Sequence, residues 1–233
     1  MRSLHGSTPI TSVIIPAFNE ETSIGLVLDN LPQERLKEII VVNNGSTDKT
    51  ACVAKKHGAR VVDETLRGYG AACLKGISEL DDPEIVVFID GDFSDFPEEI
   101  ESLVKPIVEN RADFVLGSRM IFPESRAALL PQARYGNLLA VFLMKLFFRC
   151  QFTDLGPFRA IRYQSLKEIS MTDKNFGWTV EMQIKVVKHG LRIMEIPVHY
   201  RKRIGVSKIT GTISGTFKAG TKIIFTIFKY LLT

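Results

Sequence analysis

The chain has 233 residues, which is long enough for one sizeable core, and its 45% hydrophobic and 24% charged residues exclude the disordered and fibrous classes. Its net charge of +4 hides a gradient, because residues 1–100 carry 9 Lys/Arg and 17 Asp/Glu while residues 196–233 carry 7 Lys/Arg and no acid. The acidic front half argues against a nucleic-acid surface, and the basic tail, mixed with Phe and Ile, suits anionic lipid or phosphate.

Short β-branched runs alternate with helical patterns through the first half of the chain. The predicted strands cover 12–16, 38–42, 60–62, 84–89 and 112–116. The predicted helices between them cover 22–31, 50–57, 70–80 and 98–108. This alternation predicts an α/β fold with a mostly parallel sheet, in which ligands bind beyond the carboxyl ends of the strands. Because each polar cluster of this half follows a strand, we expect the clusters to form one site.

The second half of the chain has a different character. Helices are predicted at 138–148 and 177–189, and a strand at 192–200, in which Pro197 suits a sheet edge. The basic tail, 211–233, predicts a further amphipathic helix. The apolar stripe of 138–148 is wider than packing on one side requires, so together with the tail it predicts peripheral contact with a membrane. A homo-oligomer interface is the alternative use of the same surface.

The sequence predicts neither an exported nor a membrane-spanning protein. Residues 1–9 form a short tail without the apolar run of a signal peptide. No stretch reaches the roughly 18 apolar residues that a spanning helix needs. We therefore expect a cytoplasmic protein that is peripherally associated with the cytoplasmic face of a membrane.

Asp90-Gly91-Asp92 is the strongest chemical signal in the sequence. Two carboxylates two residues apart, just past the most apolar predicted strand, can hold a hard divalent cation. Mg²⁺ and Mn²⁺ are the candidates, because they favour oxygen ligands and keep positions open for phosphate oxygens. Such a cation would neutralise charge on a leaving diphosphate. A solvated turn is the alternative, since Asp-Gly is good turn chemistry.

Four segments in a fixed order place this motif in context. They are Ser12-Val-Ile-Ile-Pro-Ala-Phe-Asn-Glu20, Val41-Val-Asn-Asn-Gly-Ser-Thr-Asp48, Arg67-Gly-Tyr-Gly-Ala-Ala72 and Phe88-Ile-Asp-Gly-Asp-Phe-Ser-Asp-Phe-Pro97. From about residue 10 to about residue 210 the chain resembles the family 2 glycosyltransferases, which have a GT-A fold. Within that family it looks most like the polyprenol-phosphate (dolichol-phosphate) mannosyl- and glucosyltransferase branch.

The resemblance implies roles for the matching positions. The nucleotide-sugar donor would contact Pro16, Ala17, Asn19, Glu20, Asn44, Gly70, Asp90, Gly91, Asp92 and Arg119. The metal would be held by Asp90, Asp92 and Ser94, and the phosphates or the acceptor by Arg119, Arg159, Arg201, Arg203 and Lys208. The catalytic roles would fall to Asp90, Asp92, Asp154 and Glu181.

The chain departs from the pattern of that family at two places. Many relatives have an Asp at the position of Asn43 or Asn44, so the choice of base, uracil or guanine, stays open. Gly156-Pro157 replaces the commoner Ser-Gly in the segment that borders the sugar. Glu181 could deprotonate a hydroxyl acceptor, but a phosphate acceptor is already anionic and needs no strong base. An orienting or structural role is therefore favoured for Glu181.

These observations predict an inverting hexosyltransferase that uses a nucleotide diphosphate sugar, of the UDP-glucose or GDP-mannose type, and a polyprenyl or dolichyl phosphate acceptor. Residues 10–125 would bind donor and metal, 126–210 would bind the acceptor, and 211–233 would form a basic amphipathic helix. One alternative is transfer to a hydroxyl of a soluble sugar or glycolipid. Others are a nucleotidyltransferase that forms nucleotide sugars and a non-catalytic subunit that binds them.

Overall fold

Runs of β-branched and apolar residues form one seven-stranded sheet in the computed structural model, which describes residues 9–205 and 213–232. In chain order the strands are β1 (Thr11–Ala17), β2 (Glu38–Asn43), β3 (Arg60–Asp63), β4 (Ile85–Phe88), β5 (Phe114–Ser118), β6 (Arg159–Arg162) and β7 (Ile193–Pro197). Their order across the sheet is β3-β2-β1-β4-β6-β5-β7. All neighbours pair in parallel except those of β6, so the predicted α/β fold with a mostly parallel sheet is confirmed.

Strand β6 is the one strand that the sequence pattern does not predict. It lies between β4 and β5 and runs antiparallel to both. Its four residues begin and end with Arg, which hides it from a search for apolar runs. The buried Arg159 is tolerated in the sheet because its guanidinium donates to the carbonyl oxygens of Gly156 and Thr179, at 3.1 and 3.0 Å. The predicted edge position of Pro197, at the end of β7, is confirmed.

The helices follow the predicted periodicity more closely at their centres than at their ends. They are α1 (Ile24–Asn30), α2 (Thr50–Lys56), α3 (Tyr69–Ser78), α4 (Ile100–Val108), α5 (Pro123–Ala128), α6 (Pro131–Phe148), α7 (Tyr163–Ile169), α8 (Trp178–Lys188) and α9 (Ile213–Leu232). Helix α6 begins well before residue 138, because Pro131 suits a first helical turn. Helices α5 and α7 are short and are not predicted.

Alternate residues of each strand feed two cores, one on each face of the sheet. Val13 and Ile15 of β1 point toward a cluster that includes α1, α2 and α4. Ile14 points toward a second cluster that includes α3 and α6 to α9, with Trp178 fully buried in it. The helices that follow the strands therefore fix the sheet from both sides and leave the carboxyl ends of the strands to form a site.

Helices α6 and α9 pack against each other and keep many apolar side chains in solvent. Met144 and Ile227 are buried between the elements of the second core, and the rings of Phe147 and Phe228 lie 5.5 Å apart. The exposed large apolar residues, called here the outer face of α6 and α9, are Tyr135, Leu138, Leu139, Phe142, Leu146, Phe217, Phe225, Phe228, Leu231 and Leu232. In residues 9–205 and 213–232, no helix combines the length and the apolarity that crossing a membrane requires.

Candidate active site

A cleft of about 390 Å³ opens beyond the carboxyl ends of β1, β2 and β4. It is lined by Pro16, Ala17, Phe18, Glu20, Asn44, Arg67, Gly68, Tyr69, Ala72, Asp90, Gly91, Asp92, Phe176 and Arg203. The polar clusters at the ends of these strands thus meet at one site, as the strand order predicts. Eight residues of the predicted site line it, namely Pro16, Ala17, Glu20, Asn44, Asp90, Gly91, Asp92 and Arg203.

Asp90 carries an unpaired carboxylate oxygen at the wall of this cleft. Its Oδ1 is buried, and neither this atom nor the buried hydroxyl of Tyr69 has a hydrogen-bond partner among the described residues. Burial, and after it the charge of Asp92, raises the pKa of Asp90 to about 7, against the opposing charges of Arg203 and Arg119. A nearby cation would stabilise the ionised form of a carboxylate that is buried beside another carboxylate.

Asp92 is paired within the protein. Its Oδ1 accepts hydrogen bonds from the backbone N–H and the hydroxyl of Ser94, at 3.0 and 2.5 Å. Its Oδ2 lies 3.1 Å from Nη1 of Arg203, whose Nη2 donates to Oε1 of Glu20 at 2.6 Å. Arg203 therefore bridges two carboxylates across the mouth of the cleft, and Ser94 orients Asp92 from behind.

The segment that bears Arg203 is held against the Asp92 turn by its backbone. Ile204 N–H donates to the carbonyl of Asp92 at 3.0 Å, and Arg201 N–H donates to the carbonyl of Ser94 at 2.9 Å. The guanidinium of Arg201 does not line the cleft, because it stacks on Phe93 and Phe96, at 3.7 and 3.9 Å from the ring centroids. Lys208, also expected to meet phosphate, lies outside the described residues.

The acidic groups of the cleft fit a hard divalent cation. In the described part of the chain, no three His, Cys, Asp or Glu side chains come together as a complete metal site. Two carboxylates on one cleft wall, one of them with an unpaired buried oxygen, match a cation that takes its other ligands from phosphate and water. Asp90 and Asp92 are the residues that could hold it, whereas the Ser94 hydroxyl is engaged with Asp92.

Asn44 lines the cleft, but its side-chain amide is used within the protein. Its Nδ2 donates to the carbonyls of Glu64 and Leu66, at 3.0 and 2.8 Å, and its Oδ1 accepts from Gly68 N–H at 2.9 Å. An Asp at this position could not donate to the two carbonyls. Asn44 therefore shapes the loop that places Arg67 over the ring of Phe18, with 3.6 Å between guanidinium carbon and ring centroid.

Asn19 joins two loops beside the cleft instead of lining it. It has a left-handed backbone conformation, with φ of 54°, which Asn tolerates better than most residues. Its Oδ1 accepts from Thr47 N–H at 2.8 Å, and its own N–H donates to the hydroxyl of Ser46 at 3.0 Å. The next residue, Glu20, donates its N–H to Thr50 Oγ1 at 2.8 Å. These bonds fix the ends of β1 and β2 relative to each other.

Arg119 and Asp154 form a buried ion pair behind the cleft. Nε and Nη2 of Arg119 lie 2.7 and 2.8 Å from the two carboxylate oxygens of Asp154, and Arg119 N–H donates to Oδ2 at 2.9 Å. Burial favours a higher pKa for Asp154, but its hydrogen bonds and the charge of Arg119 outweigh burial and lower the pKa. Arg119 also lies over the ring of Tyr200, 5.0 Å from the centroid.

Asp95 is a further buried carboxyl near this ion pair, and the sequence reasoning did not single it out. Neither of its oxygens has a hydrogen-bond partner among the described residues, and only 1% of the residue is exposed. Burial, followed by the charge of Asp90, raises its pKa well above the usual range, and Arg119 opposes this shift. In the sequence, only its position directly after Ser94 indicated that Asp95 would lie near the site.

Arg159, Glu181 and Gly70 lie in the interior and not on the cleft wall. Burial lowers the pKa of Arg159 to about 10, and its guanidinium binds backbone carbonyls. Glu181 is fully buried near the start of α8, where its carboxylate accepts several hydrogen bonds. Gly70 faces the 171–177 loop, because a Cβ there would lie 2.0 Å from the carbonyl oxygen of Asp173. The structure therefore does not bring these three residues to the cleft wall.

Comparisons with known proteins identify the family of the chain. The family model described as Glycosyl transferase family 2 matches residues 12–170. The chain belongs to this family. An uncharacterized glycosyltransferase of Mycobacterium tuberculosis is 33% identical to this family 2 enzyme over 209 residues, which cover 89% of this chain and 93% of that one. The dolichyl-phosphate hexose transferase of Haloferax volcanii is 32% identical over 205 residues, covering 85% of this chain and 86% of that one.

A solved structure shows the same architecture. Glucosyl-3-phosphoglycerate synthase from Mycobacterium tuberculosis, in complex with Mn²⁺, UDP-glucose and phosphoglyceric acid, matches this family 2 enzyme with a TM-score of 0.77. The match covers 96% of this chain and 80% of that one, at 23% sequence identity. This match confirms the predicted GT-A fold, and the family model confirms the assignment as a glycosyltransferase.

Proposed function

We propose that this glycosyltransferase moves a hexose from a nucleoside diphosphate sugar to a polyprenyl or dolichyl phosphate at a membrane surface, with inversion at C1 of the sugar. The observation that carries the proposal is the presence, in one small protein, of an acid-lined cleft and a broad exposed apolar face. The former suits a donor diphosphate with a cation, and the latter suits a lipid acceptor. The name of the Haloferax volcanii relative supports the acceptor class.

The donor would lie along the cleft from β2 to β4. Its base would meet the side formed by Phe18 and Arg67, where an aromatic ring and a guanidinium are already stacked. Its diphosphate would reach Asp90 and Asp92, which would hold Mg²⁺ or Mn²⁺. The cation, when bound, would neutralise charge on the leaving diphosphate. The Mn²⁺ and UDP-glucose bound by glucosyl-3-phosphoglycerate synthase support this class of donor and cofactor.

The basic residues near the cleft would serve the phosphates. Arg203 lines the cleft, as does Arg67, and after leaving Asp92 it would donate to the diphosphate oxygens. Arg119, Arg201 and Lys208 remain proposals for the acceptor phosphate. Arg119 could bind a phosphate without leaving Asp154 completely, because its guanidinium has N–H donors beyond the two that bind Asp154.

The transfer step needs no base in this proposal. An oxygen of the acceptor phosphate attacks C1 of the sugar and forms the new C–O bond, while the bond from C1 to the donor diphosphate breaks. The electron pair of that bond leaves with the nucleoside diphosphate, and the configuration at C1 inverts. A phosphate acceptor is anionic at neutral pH, which agrees with the full engagement of the Glu181 carboxylate inside the protein.

The outer face of α6 and α9 would dock on the cytoplasmic face of a membrane. Exposed basic residues, including Lys145 and Lys218, accompany its apolar side chains. Such a combination binds anionic lipid surfaces through apolar burial and charge. A homo-oligomer that buries the same face is the competing use, and sedimentation with and without anionic vesicles distinguishes the two.

A donor screen tests the proposed function. The protein would be incubated with Mn²⁺ and UDP-glucose, UDP-N-acetylglucosamine, UDP-galactose or GDP-mannose, with and without a polyprenyl phosphate, and nucleoside diphosphate release would be measured. We expect release from one donor that rises sharply with the lipid and is lost in Asp92→Asn. Release that ignores the lipid would move the acceptor to a hydroxyl compound. No release from any donor, with or without the lipid, would contradict the proposal.

A further inference from the structure

The inner side of α9 reaches a loop that forms part of the donor cleft. This loop, residues 171–177, joins α7 to α8 and contributes Phe176 to the cleft wall. Nζ of Lys222 lies 2.7 Å from Oδ2 of Asp173, in an ion pair whose Asp side chain is only 7% exposed. Tyr230, two turns later on α9, donates its hydroxyl to Oε1 of Glu181 at 2.5 Å. Helix α9 therefore contacts the loop at Asp173 and also contacts Glu181 at the start of α8.

Glu181 connects α9 to the backbone of the loop. Besides the Tyr230 hydroxyl, its carboxylate accepts from the N–H groups of Thr172 and Asp173, at 3.0 and 2.7 Å, and from the Thr172 hydroxyl at 2.6 Å. Nζ of Lys185 lies 2.9 Å away. If one donor is removed, the fully buried Glu181 carboxylate has the same desolvation free energy but fewer hydrogen bonds to offset it.

The loop in turn packs against the start of α3 without clearance. A Cβ at Gly68 would lie 2.1 Å from the carbonyl oxygen of Lys174, and one at Gly70 would lie 2.0 Å from that of Asp173. Ala71 N–H donates to the carbonyl of Lys174 at 2.9 Å. Because the start of α3 supplies Gly68 and Tyr69 to the cleft wall, a shift of the loop must also shift that wall.

We propose that Lys222 and Tyr230 are positioning residues for the donor, which act through the 171–177 loop to set the shape of the cleft. The inference rests on the proposed function in that it takes the ligand of the cleft to be the nucleoside diphosphate part of the donor. It gives α9 a role in donor binding in addition to its outer face. It also gives Glu181 a positioning role, as the residue that relays the contact from Tyr230 to the loop backbone.

A role in packing alone would have a different signature. If Lys222 and Tyr230 only attached α9, their loss would lower the melting temperature while the folded protein bound nucleotide as before. If they position the loop, the folded protein itself binds nucleotide more weakly. Trp178, the only Trp of the chain, follows the loop directly and its ring meets that of Tyr69 edge-on, with 5.9 Å between centroids. Its fluorescence therefore reports on this junction.

The first experiment titrates UDP and GDP, each with Mn²⁺, into the full chain and follows Trp178 fluorescence. For the nucleotide that the unchanged protein binds, we expect Lys222→Met and Tyr230→Phe each to raise Kd by about five-fold or more, and Lys222→Arg to restore binding. Lys37→Met and Tyr135→Phe are the matched controls, because Lys37 pairs with the exposed Asp81 and Tyr135 is 71% exposed on α6. An unchanged Kd in the folded variants would overturn the proposal.

The second experiment measures hydrogen exchange without nucleotide and separates this inference from the proposed function. The amides of Ala71, Thr172 and Asp173 should exchange faster in Lys222→Met and Tyr230→Phe than in the unchanged protein and the two controls. Unchanged exchange at these amides overturns the inference, whatever the protein binds. If the unchanged protein binds neither nucleotide, the proposed donor class fails, and exchange alone decides whether α9 positions the loop. Tyr230→Phe keeps the ring in place, so this test stands even if Lys222→Met fails to fold.

Discussion

The carboxyl group of Asp90, which has one buried oxygen, leads to a measurable prediction about stability. In the folded protein without a cation, burial and Asp92 raise the pKa of Asp90 from 3.8 to about 7, whereas in the unfolded chain it ionises at its ordinary value. The unfolded chain therefore releases this proton more readily. The contribution of Asp90 to the free energy of unfolding is fully present below about pH 4 and is lost as the pH rises through about 7. Asp90→Asn, which cannot ionise, should not show this loss.

The size of the effect follows from the shift. Each pKa unit corresponds to 1.36 kcal/mol, so a shift of three units corresponds to about 4 kcal/mol above pH 7. Relaxation around Asp90 and its coupling to Asp92 reduce this figure, and a gain of about 2 to 4 kcal/mol is expected for Asp90→Asn at pH 8. Near pH 4 the two proteins should have similar stability.

Urea unfolding in the presence of EDTA, followed by Trp178 fluorescence, measures this difference at several pH values. Asp81→Asn is the matched control, because the Asp81 side chain is 87% exposed and its ion pair with Lys37 should contribute little. An Asp90→Asn protein that is no more stable than the unchanged protein at pH 8 would refute the reasoning. A gain that does not depend on pH would refute the assignment to ionisation.

Three further changes test other contacts. Arg203→Gln should strengthen Mn²⁺ binding without nucleotide, measured by electron paramagnetic resonance, because Asp92 loses its ion pair. It should also weaken nucleotide binding by about ten-fold, because a charge-assisted contact is lost. No change in either affinity would contradict the role of Arg203 as a bridge between carboxylates. Asp154→Asn should lower the free energy of unfolding, measured with urea, by about 3 kcal/mol, because it removes the negative charge paired with the Arg119 guanidinium. Gly70→Ala should clash with the Asp173 carbonyl and lower the melting temperature, whereas Gly136→Ala in α6, with open space around it, should raise it.

The positions of the acidic and amide residues of the cleft followed from the sequence because they depend on strand ends. Asp90 and Asp92 follow β4, Asn44 follows β2, and parallel strands bring such ends to one edge. The partners of these side chains did not follow from the sequence. Whether the amide of Asn44 faces a ligand or the carbonyls of Glu64 and Leu66 depends on a loop whose path has no periodic signal.

The interior charged residues show a second reason why the sequence alone does not predict the whole site. Arg159 and Glu181 stand in segments that resemble functional ones, and a charged residue is usually exposed. Their burial depends on contacts distant in sequence, such as the hydroxyl of Tyr230 for Glu181. Phe176, which lines the cleft, had no signal of its own, because it reaches the cleft only through the packing of its loop on α3.

The two-sided character of α9 affects how a shortened protein should be interpreted. Its apolar outer face makes it the obvious segment to delete when a sample aggregates. Deletion would also remove the ammonium that pairs with Asp173 and the phenol that donates to Glu181. An inactive shortened protein would then say nothing about whether lipid is needed for turnover. A polar replacement at Phe217, which is 72% exposed, would test the proposed lipid attachment without removing either of these inner contacts.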